Sequence, residues 1–504
     1  MKIAIRSDAS PEIGTGHVMR MLALAQYLKK RGADVYFMSY ELPDALRQRL
    51  HAEGLSVVAI SEEPGSIGDA QRVIRHGKEN CTTWTIVDGY HFKSEYQNAF
   101  RSNGMRVLFL DDYVHCERYS ADVVLNQNCY ADRSLGYCAE SADTKFLMGA
   151  QFALLRDEFR SRKAPEREFN ESISHVLVTL GGADPDNGTQ KILEILEAVT
   201  EHQLEIKVII GGANPHVEPL AAFIKKSRHR SSLVTSVTDM WELMDWADMA
   251  ITAAGTTTME LCYMGLPSLV CVLADNQLRV VKKLEDLGIV QSLGDIRIWD
   301  EQDAYSKLVL FLENRSLRKE MGGRGSALVD GAGVSRVYKT LLEEAVSLRE
   351  ACISDERQVW EWANDALVRE MSFNQAEILW KDHQNWYRQQ LKSAEVLFYI
   401  ASDDDGPLGQ VRFTKTGDHS VISMSLASRA RGKGLGSCLI HKATVEYFNK
   451  LAVDEVIGYV KTNNAPSLNS FRQAGYDQTE ESSSSDNNVV TFRARRNSFH
   501  ETTI

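Results

Sequence analysis

Gly14-Thr15-Gly16-His17-Val18-Met19-Arg20 decides how the first half of the chain is read. Lys2-Ile3-Ala4-Ile5-Arg6 before it is short, apolar and β-branched, the pattern of a buried strand. Met21-Leu22-Ala23-Leu24-Ala25-Gln26-Tyr27-Leu28 after it has the apolar spacing of a helix lying on a sheet. Glycines at such a strand-to-helix turn let the backbone come close to a ligand, and the helix N-terminus behind them attracts anions. His17 stands at the same turn, and an imidazole exchanges a proton near neutral pH. The stretch predicts a site that handles a phosphorylated substrate and moves a proton.

Outward from it, strand-like runs at 2–6, 34–39, 55–60, 83–88, 106–111, 123–126 and 145–149 alternate with helical stretches. Most are continuous Val, Ile, Leu and Phe runs, as expected of parallel strands covered on both faces. Several end in polar clusters: Asp88-Gly89-Tyr90, Asp111-Asp112-Tyr113 and Asn126-Gln127-Asn128. In open α/β sheets ligands bind beyond the carboxyl ends of the strands, which puts these clusters on the edge that carries His17.

Residues 156–172 are charged and read as a linker. A second α/β series follows, with strands expected at 175–180, 206–210, 232–234, 249–253, 268–272 and 289–292. Its glycine-bearing strand ends are Gly181-Gly182-Ala183-Asp184, Gly211-Gly212-Ala213-Asn214 and Ala253-Ala254-Gly255-Thr256-Thr257-Thr258-Met259-Glu260. Backbone N–H groups and threonine hydroxyls at the last of these suit a diphosphate, and Glu260 one turn on suits ribose hydroxyls. No GxxxxGK[ST] loop and no complete GxGxxG fingerprint is present. Two tandem α/β lobes with facing glycine turns suggest a nucleotide-sugar cleft. Residues 328–349 are expected to form one helix that closes the second lobe.

Length and composition bound the rest. A chain of 504 residues implies about two to four domains. Hydrophobic content of 43% with 25% charged residues is that of a globular protein. With Lys and Arg at 57 and Asp and Glu at 69, the net charge of −12 argues against a nucleic-acid partner. The eight cysteines show no CxxC pair and no metal spacing, so reduced thiols and no metal are expected. No signal segment is apparent and no run approaches the ~20 apolar residues that span a bilayer, so a cytoplasmic protein without a membrane partner is expected.

After residue 351 the composition changes. Trp360, Trp362, Trp380 and Trp386 lie in stretches expected to be helical at 356–370 and 373–391. Strands are expected at 396–402, 409–414, 419–426, 455–460 and 489–494, and the Ser-rich segment 480–488 reads as a loop.

The first ~345 residues resemble the UDP-sugar hydrolases of bacterial pseudaminic acid biosynthesis, relatives of the lipid-II-forming glycosyltransferases with the two-lobed GT-B fold. The resemblance is carried by Arg6-Ser7-Asp8, Ile13-Gly14-x-Gly16-His17-x-x-Arg20, Val87-Asp88-x-Tyr90, Gly181-Gly182-Ala183-Asp184, Ala253-Ala254-Gly255-Thr256-Thr257-x-x-Glu260 and Ala274-x-Asn276-Gln277. It implies hydrolysis of UDP-2,4-diacetamido-2,4,6-trideoxy-β-L-altropyranose at the anomeric carbon, with His17 catalytic. Substrate contacts are expected from Gly14, Gly16, Arg20, Asp88, Tyr90, Gly181, Gly182, Gly255, Thr256, Thr257, Glu260, Asn276 and Gln277. A UDP-sugar glycosyltransferase remains open as an alternative, since an acceptor alcohol would stand where the water does.

The last ~150 residues resemble the GNAT acetyltransferases through Arg431-Gly432-Lys433-Gly434-Leu435-Gly436 and Asn464-x-x-Ser467…Phe471…Gly475-Tyr476. The opening Trp360-x-Trp362-Ala363-Asn364-Asp365 resembles amino-sugar N-acetyltransferases. Acetyl-CoA is the implied co-substrate, held by Leu426, Arg431, Gly432, Lys433, Gly434, Leu435, Gly436, Asn464 and Ser467. Phe471 departs from the family, where a tyrosine often protonates the leaving thiolate, and an inactive scaffold domain stays open on that account. The expected fold class is α/β, two Rossmann-like lobes in a GT-B arrangement followed by a GNAT α+β domain. The expected domains are 1–155, 172–349 and 352–496.

Overall fold

The computed structural model describes residues 1–10, 13–182, 184–211, 214–235, 237–479 and 488–499, and the elements below are those of the described residues. Ala183, Gly212, Ala213 and most of the Ser-rich loop, 480–487, lie outside them. The chain forms two compact units, Met1–Val337 and Tyr338–Ile504.

Unit 1 holds two parallel sheets. The first is built from β1 (Lys2–Ser7), β2 (Asp34–Ser39), β3 (Ser56–Ala59), β4 (Trp84–Asp88), β5 (Arg106–Leu110), β6 (Val123–Asn126) and β7 (Lys145–Met148), in the order β3-β2-β1-β4-β5-β6-β7. Ile3, Ala4 and Ile5 are all fully buried, so both faces of β1 are covered and its sequence runs apolar without alternation. Strand order reverses between β1 and β4, where Ser7 pairs with Asp88. Beyond those two carboxyl ends lies the crevice that a doubly wound sheet offers a ligand.

The second sheet contains β8 (His175–Thr179), β9 (Glu205–Ile210), β10 (Arg230–Thr235), β11 (Met249–Ala253), β12 (Ser268–Val272) and β13 (Val290–Asp295), in the order β10-β9-β8-β11-β12-β13. Here the order reverses between β8 and β11, which are followed by Gly181-Gly182 and by Gly255. The expected linker is docked rather than loose. Arg167 in it donates to the carbonyls of Met264 and Ala247 at 2.7 and 2.8 Å. Its planar head thus pairs carbonyls at the ends of two helices, Met240–Trp246 and Thr256–Tyr263, that would otherwise be orphaned.

Unit 2 is a mixed sheet flanked by helices: β14 (Ser347–Glu350), β15 (Val396–Asp403), β16 (Gly406–Thr416), β17 (His419–Leu426), β18 (Glu455–Lys461), β19 (Asp477–Thr479) and β20 (Val489–Arg495), ordered β14-β15-β16-β17-β18-β20-β19. The expected helix over 328–349 is corrected here. The helix spans Gly333–Ala345, and Ser347 to Glu350 pair antiparallel with Ser402 to Tyr399 as an edge strand. Backbone pairing with β15 outweighs the helical continuation that local sequence suggested. The expected helix over 356–370 is likewise two, Glu356–Ala363 and Ala366–Met371. Asp365 breaks them by capping the second, accepting from the N–H groups of Leu367 and Val368. The next helix starts only at Trp380, in the span Trp380–Lys392.

Candidate active sites

In unit 1 the helix Gly16–Lys30 springs from the end of β1. Gly14 has φ +79°, a conformation other residues adopt only at a cost, and its N–H donates to the Ser10 carbonyl at 2.8 Å. Nothing lies within 4 Å of where a side chain would stand at Gly14 or Gly16.

His17 places Nδ1 2.7 Å from Asp88 Oδ1 at the end of β4. A carboxylate accepts, so Nδ1 carries a proton, and in the neutral ring the lone pair is on Nε2. No protein group among the described residues bonds Nε2. Arg20, one helical turn on, donates through Nε and Nη2 to Asp88 at 2.7 and 2.6 Å and through Nη1 and Nη2 to Asp112 at 2.8 and 3.1 Å. Burial opposes ionisation of Asp88, but Arg20 and His17 overcome it and hold the carboxyl far below the usual range. Arg20 is buried too, and Asp112 and Asp88 keep it charged. The result is a fixed negative charge behind an imidazole whose Nε2 has no protein partner among the described residues.

Tyr90 closes the network. Its ring meets His17 edge-on at 4.7 Å, its hydroxyl donates to Asp112 Oδ2 at 2.7 Å, and it accepts from Asn276 Nδ2 at 3.1 Å. Asn276 belongs to the second lobe, so this bond crosses the cleft. Burial, and then Asp112, push the Tyr90 phenol above its ordinary value. Gly182 also reaches across, since a Cβ there would stand 2.8 Å from Thr15 Oγ1.

The expected site residues thus divide. His17, Tyr90 and Asn276 share one network, Gly14 and Gly16 stand on the turn before His17, and Gly182 approaches Thr15. Arg20 and Asp88, expected to touch substrate, are buried, and their polar atoms bond to each other, to His17 and to Asp112. Glu260 has both oxygens on Arg156, at 2.8 and 2.9 Å, and Gln277 accepts from the Leu273 N–H at 2.8 Å. Gly255 is exposed and Thr256 and Thr257 are half-buried at the start of the helix Thr256–Tyr263, which has neither a side-chain cap nor an acid in its first turn. Those N–H groups are available to an anion. Asp112 and Asn128 were missing from the expected set. Asn128 Nδ2 donates to Asp112 Oδ1 at 2.9 Å. The strand-end clusters were the only sequence signal for either residue.

In unit 2, β17 and β18 pair in parallel only from His419 to Val421 and Glu455 to Ile457, and beyond that the strands part. Gly432 and Gly434 have φ +76° and +79°, which turns the loop 431–434 into the uncapped N-terminus of the helix Leu435–Lys450. Tyr338 pins the loop by donating to the Lys433 carbonyl at 2.8 Å. Gly436 packs so closely that a Cβ would meet Ser470 Oγ at 2.7 Å. Such a nest of N–H groups beside parted strands suits a pyrophosphate. The Arg431 side chain turns back to the Leu426 carbonyl, 3.0 Å away, and to Asp365 at 2.8 Å. Asn464 caps the next helix by accepting from the Ser467 N–H at 3.1 Å. Phe471 is a packing residue, stacked on Phe492 with its ring where a Gly458 Cβ would be. Among the described residues no group of His, Cys, Asp and Glu could hold a metal ion, and no helix is long and apolar enough to cross a membrane.

Fold and family matches agree on the class: Rossmann-like lobes of the GT-B type, followed by a GNAT domain. Residues 175–296 match the glycosyltransferase family 28 C-terminal domain, and residues 346–477 match the acetyltransferase (GNAT) domain. Among individual proteins, the uncharacterized protein MJ1062 of Methanocaldococcus jannaschii is 22% identical over 95% of this chain and 97% of its own. The spore coat polysaccharide biosynthesis protein SpsG of Bacillus subtilis is 26% identical, covering 68% of this chain and 98% of its own. The UDP-2,4-diacetamido-2,4,6-trideoxy-β-L-altropyranose hydrolase of Campylobacter jejuni is 28% identical over 45% of this chain and 75% of its own.

Proposed function

We propose that unit 1 hydrolyses a UDP-linked diacetamido-trideoxy sugar at its anomeric carbon and that unit 2 uses acetyl-CoA to N-acetylate the amino-sugar precursor. The observation that carries the hydrolase reading is the His17–Asp88 pair, with Nδ1 occupied at 2.7 Å and Nε2 free. His17 Nε2 takes a proton from water as the water oxygen bonds C1. The C1–O bond to the diphosphate breaks, and UDP leaves with the electron pair. Asp88 stabilises the imidazolium that forms. The uncapped N-terminus beside Gly255 neutralises the departing diphosphate. The hydrolase name of the Campylobacter relative and the GNAT match support the two activities together.

Incubating the chain with a UDP-linked 4-amino sugar and acetyl-CoA, followed by NMR, tests the reading. The acetylated UDP-sugar should appear first, then UDP and free sugar. Accumulation of the acetylated UDP-sugar without UDP release defeats the hydrolase assignment. UDP release that requires an added alcohol indicates a transferase.

A further inference from the structure

Gly432 and Gly434, at φ +76° and +79°, let the loop 431–434 of unit 2 turn over its peptide planes at little cost. Gly432, Lys433 and Gly434 are exposed, whereas Leu435 after them is buried. The loop is held from behind by the helix Gly333–Ala345. Tyr338, buried on that helix, donates through its hydroxyl to the Lys433 carbonyl at 2.8 Å. A Cβ at Gly434 would stand 3.7 Å from Leu342 Cδ1 and 3.8 Å from Tyr338 Cε1, so the same helix also packs against the loop. Lys442, in the helix Leu435–Lys450, donates to the carbonyls of Glu343 and Val346 at 2.7 and 2.6 Å. These contacts fix the register between the two helices at both ends.

The bond from Tyr338 orients more than a carbonyl. Among the described residues no peptide bond is cis, and in a trans peptide the C=O and N–H of one plane point in opposite directions. Holding the Lys433 carbonyl toward Tyr338 therefore turns the Gly434 N–H away from that buried ring. The Gly434 carbonyl accepts from Ser437 Oγ at 3.1 Å, which holds the following plane as well. Gly434 is the N-cap of the helix Leu435–Lys450, which has no side-chain cap and no acid in its first turn. An N–H aimed outward at such a helix start attracts a pyrophosphate, and a flipped plane would present a carbonyl oxygen to it instead.

We propose that Tyr338 is a positioning residue of the cofactor loop, its hydroxyl aiming the Gly434 N–H at the pyrophosphate of acetyl-CoA. The cofactor site of unit 2 then begins before residue 346, where the GNAT match starts, and includes the second half of the helix Gly333–Ala345. This rests on the acetyltransferase reading given above.

The test uses the full chain, with calorimetry of CoA binding and thiol release from acetyl-CoA in the presence of a UDP-linked 4-amino sugar. Tyr338→Phe keeps the ring beside Gly434 and removes only the donor. Its Kd for CoA and its KM for acetyl-CoA should rise about tenfold, with kcat and the KM for the amine within about twofold. Acetyl-pantetheine, a donor without the pyrophosphate, should be used with the same kcat/KM by variant and parent, an equality that a general loosening of unit 2 would not leave. Equal CoA affinity in variant and parent overturns the proposal, and so does an equal loss with acetyl-pantetheine. A parent that binds CoA about tenfold better than Tyr338→Phe but releases no thiol upholds the proposal and sinks the acetyltransferase reading. A parent that binds no CoA sinks both.

Discussion

His17 Nδ1 and Asp88 Oδ1 lie 2.7 Å apart although 71 positions separate them in sequence. Adjacency of β1 and β4 in the sheet creates the pair, and Arg20 locks it by holding both Asp88 oxygens. In the proposed hydrolysis, a base aimed in this way would need no movement to act, which is how a preorganised site lowers a barrier.

Replacing Asp88 by Asn keeps the shape but removes the charge that stabilises imidazolium. We expect UDP release in Asp88→Asn to fall by about 10²–10⁴-fold, with UDP affinity nearly unchanged, because the nucleotide is proposed to sit on the second lobe. Single-turnover kinetics and UDP calorimetry check this. A loss below tenfold would separate Asp88 from the chemistry.

Tyr90 is held protonated by burial and by Asp112, so it is not the base. Tyr90→Phe should leave kcat within about tenfold while removing one bond across the cleft, at about 1 kcal/mol of unit 1 stability. The alkaline limb of the pH–rate profile should not move. A shift of that limb would show that the phenol titrates during turnover.

His115 predicts an alkaline loss of stability. Its Nε2 donates to the Phe92 carbonyl at 3.2 Å and its Nδ1 to Asp111, the arrangement of an imidazolium. Burial opposes the charge, but Asp111 lifts the pKa from 6.5 to about 9. A raised folded pKa means that the stabilisation is complete below about pH 6.5 and disappears as pH rises through about 9. We expect unit 1 to lose on the order of 3 kcal/mol across that window, and His115→Gln to flatten the slope. Urea midpoints at about pH 6 and about pH 9.5 supply the measurement.

Phe471→Tyr should not improve acetylation. The para carbon of Phe471 already stands 2.7 Å from the Cβ position of Gly458, so a hydroxyl there enters a packed interior. A cost of about 1–3 kcal/mol is expected, read as a lower melting temperature of unit 2 with thiol release no faster than the parent. Faster release with unchanged melting would place Phe471 at the departing sulfur.

Much of the site was legible because local patterns report local chemistry. Glycines around His17 mark a turn that must stay clear, and Gly432 and Gly434 mark one that needs positive φ. What sequence spacing could not assign was partnership. Arg20 and Asp88 stood in the motifs that carry the resemblance and were expected as substrate contacts, and the fold joins them in a buried pair. Glu260 read as a ribose acceptor, and only the docking of Arg156 shows where its oxygens go. Ser347 to Glu350 followed a helix in sequence and joined a sheet, because their partners on β15 lie some fifty residues downstream.

The sequence by itself determined that this chain alternates buried parallel strands with helices, that glycine turns end the strands, and that a histidine sits at the first such turn. Those features follow from hydrophobic periodicity and from the backbone demands of glycine, both of which act over a few residues. Only the tertiary structure decided which carboxylate orients His17 and that Asn276 crosses to Tyr90. These depend on which strands become neighbours, and that is settled by packing of whole sheets across long sequence separations.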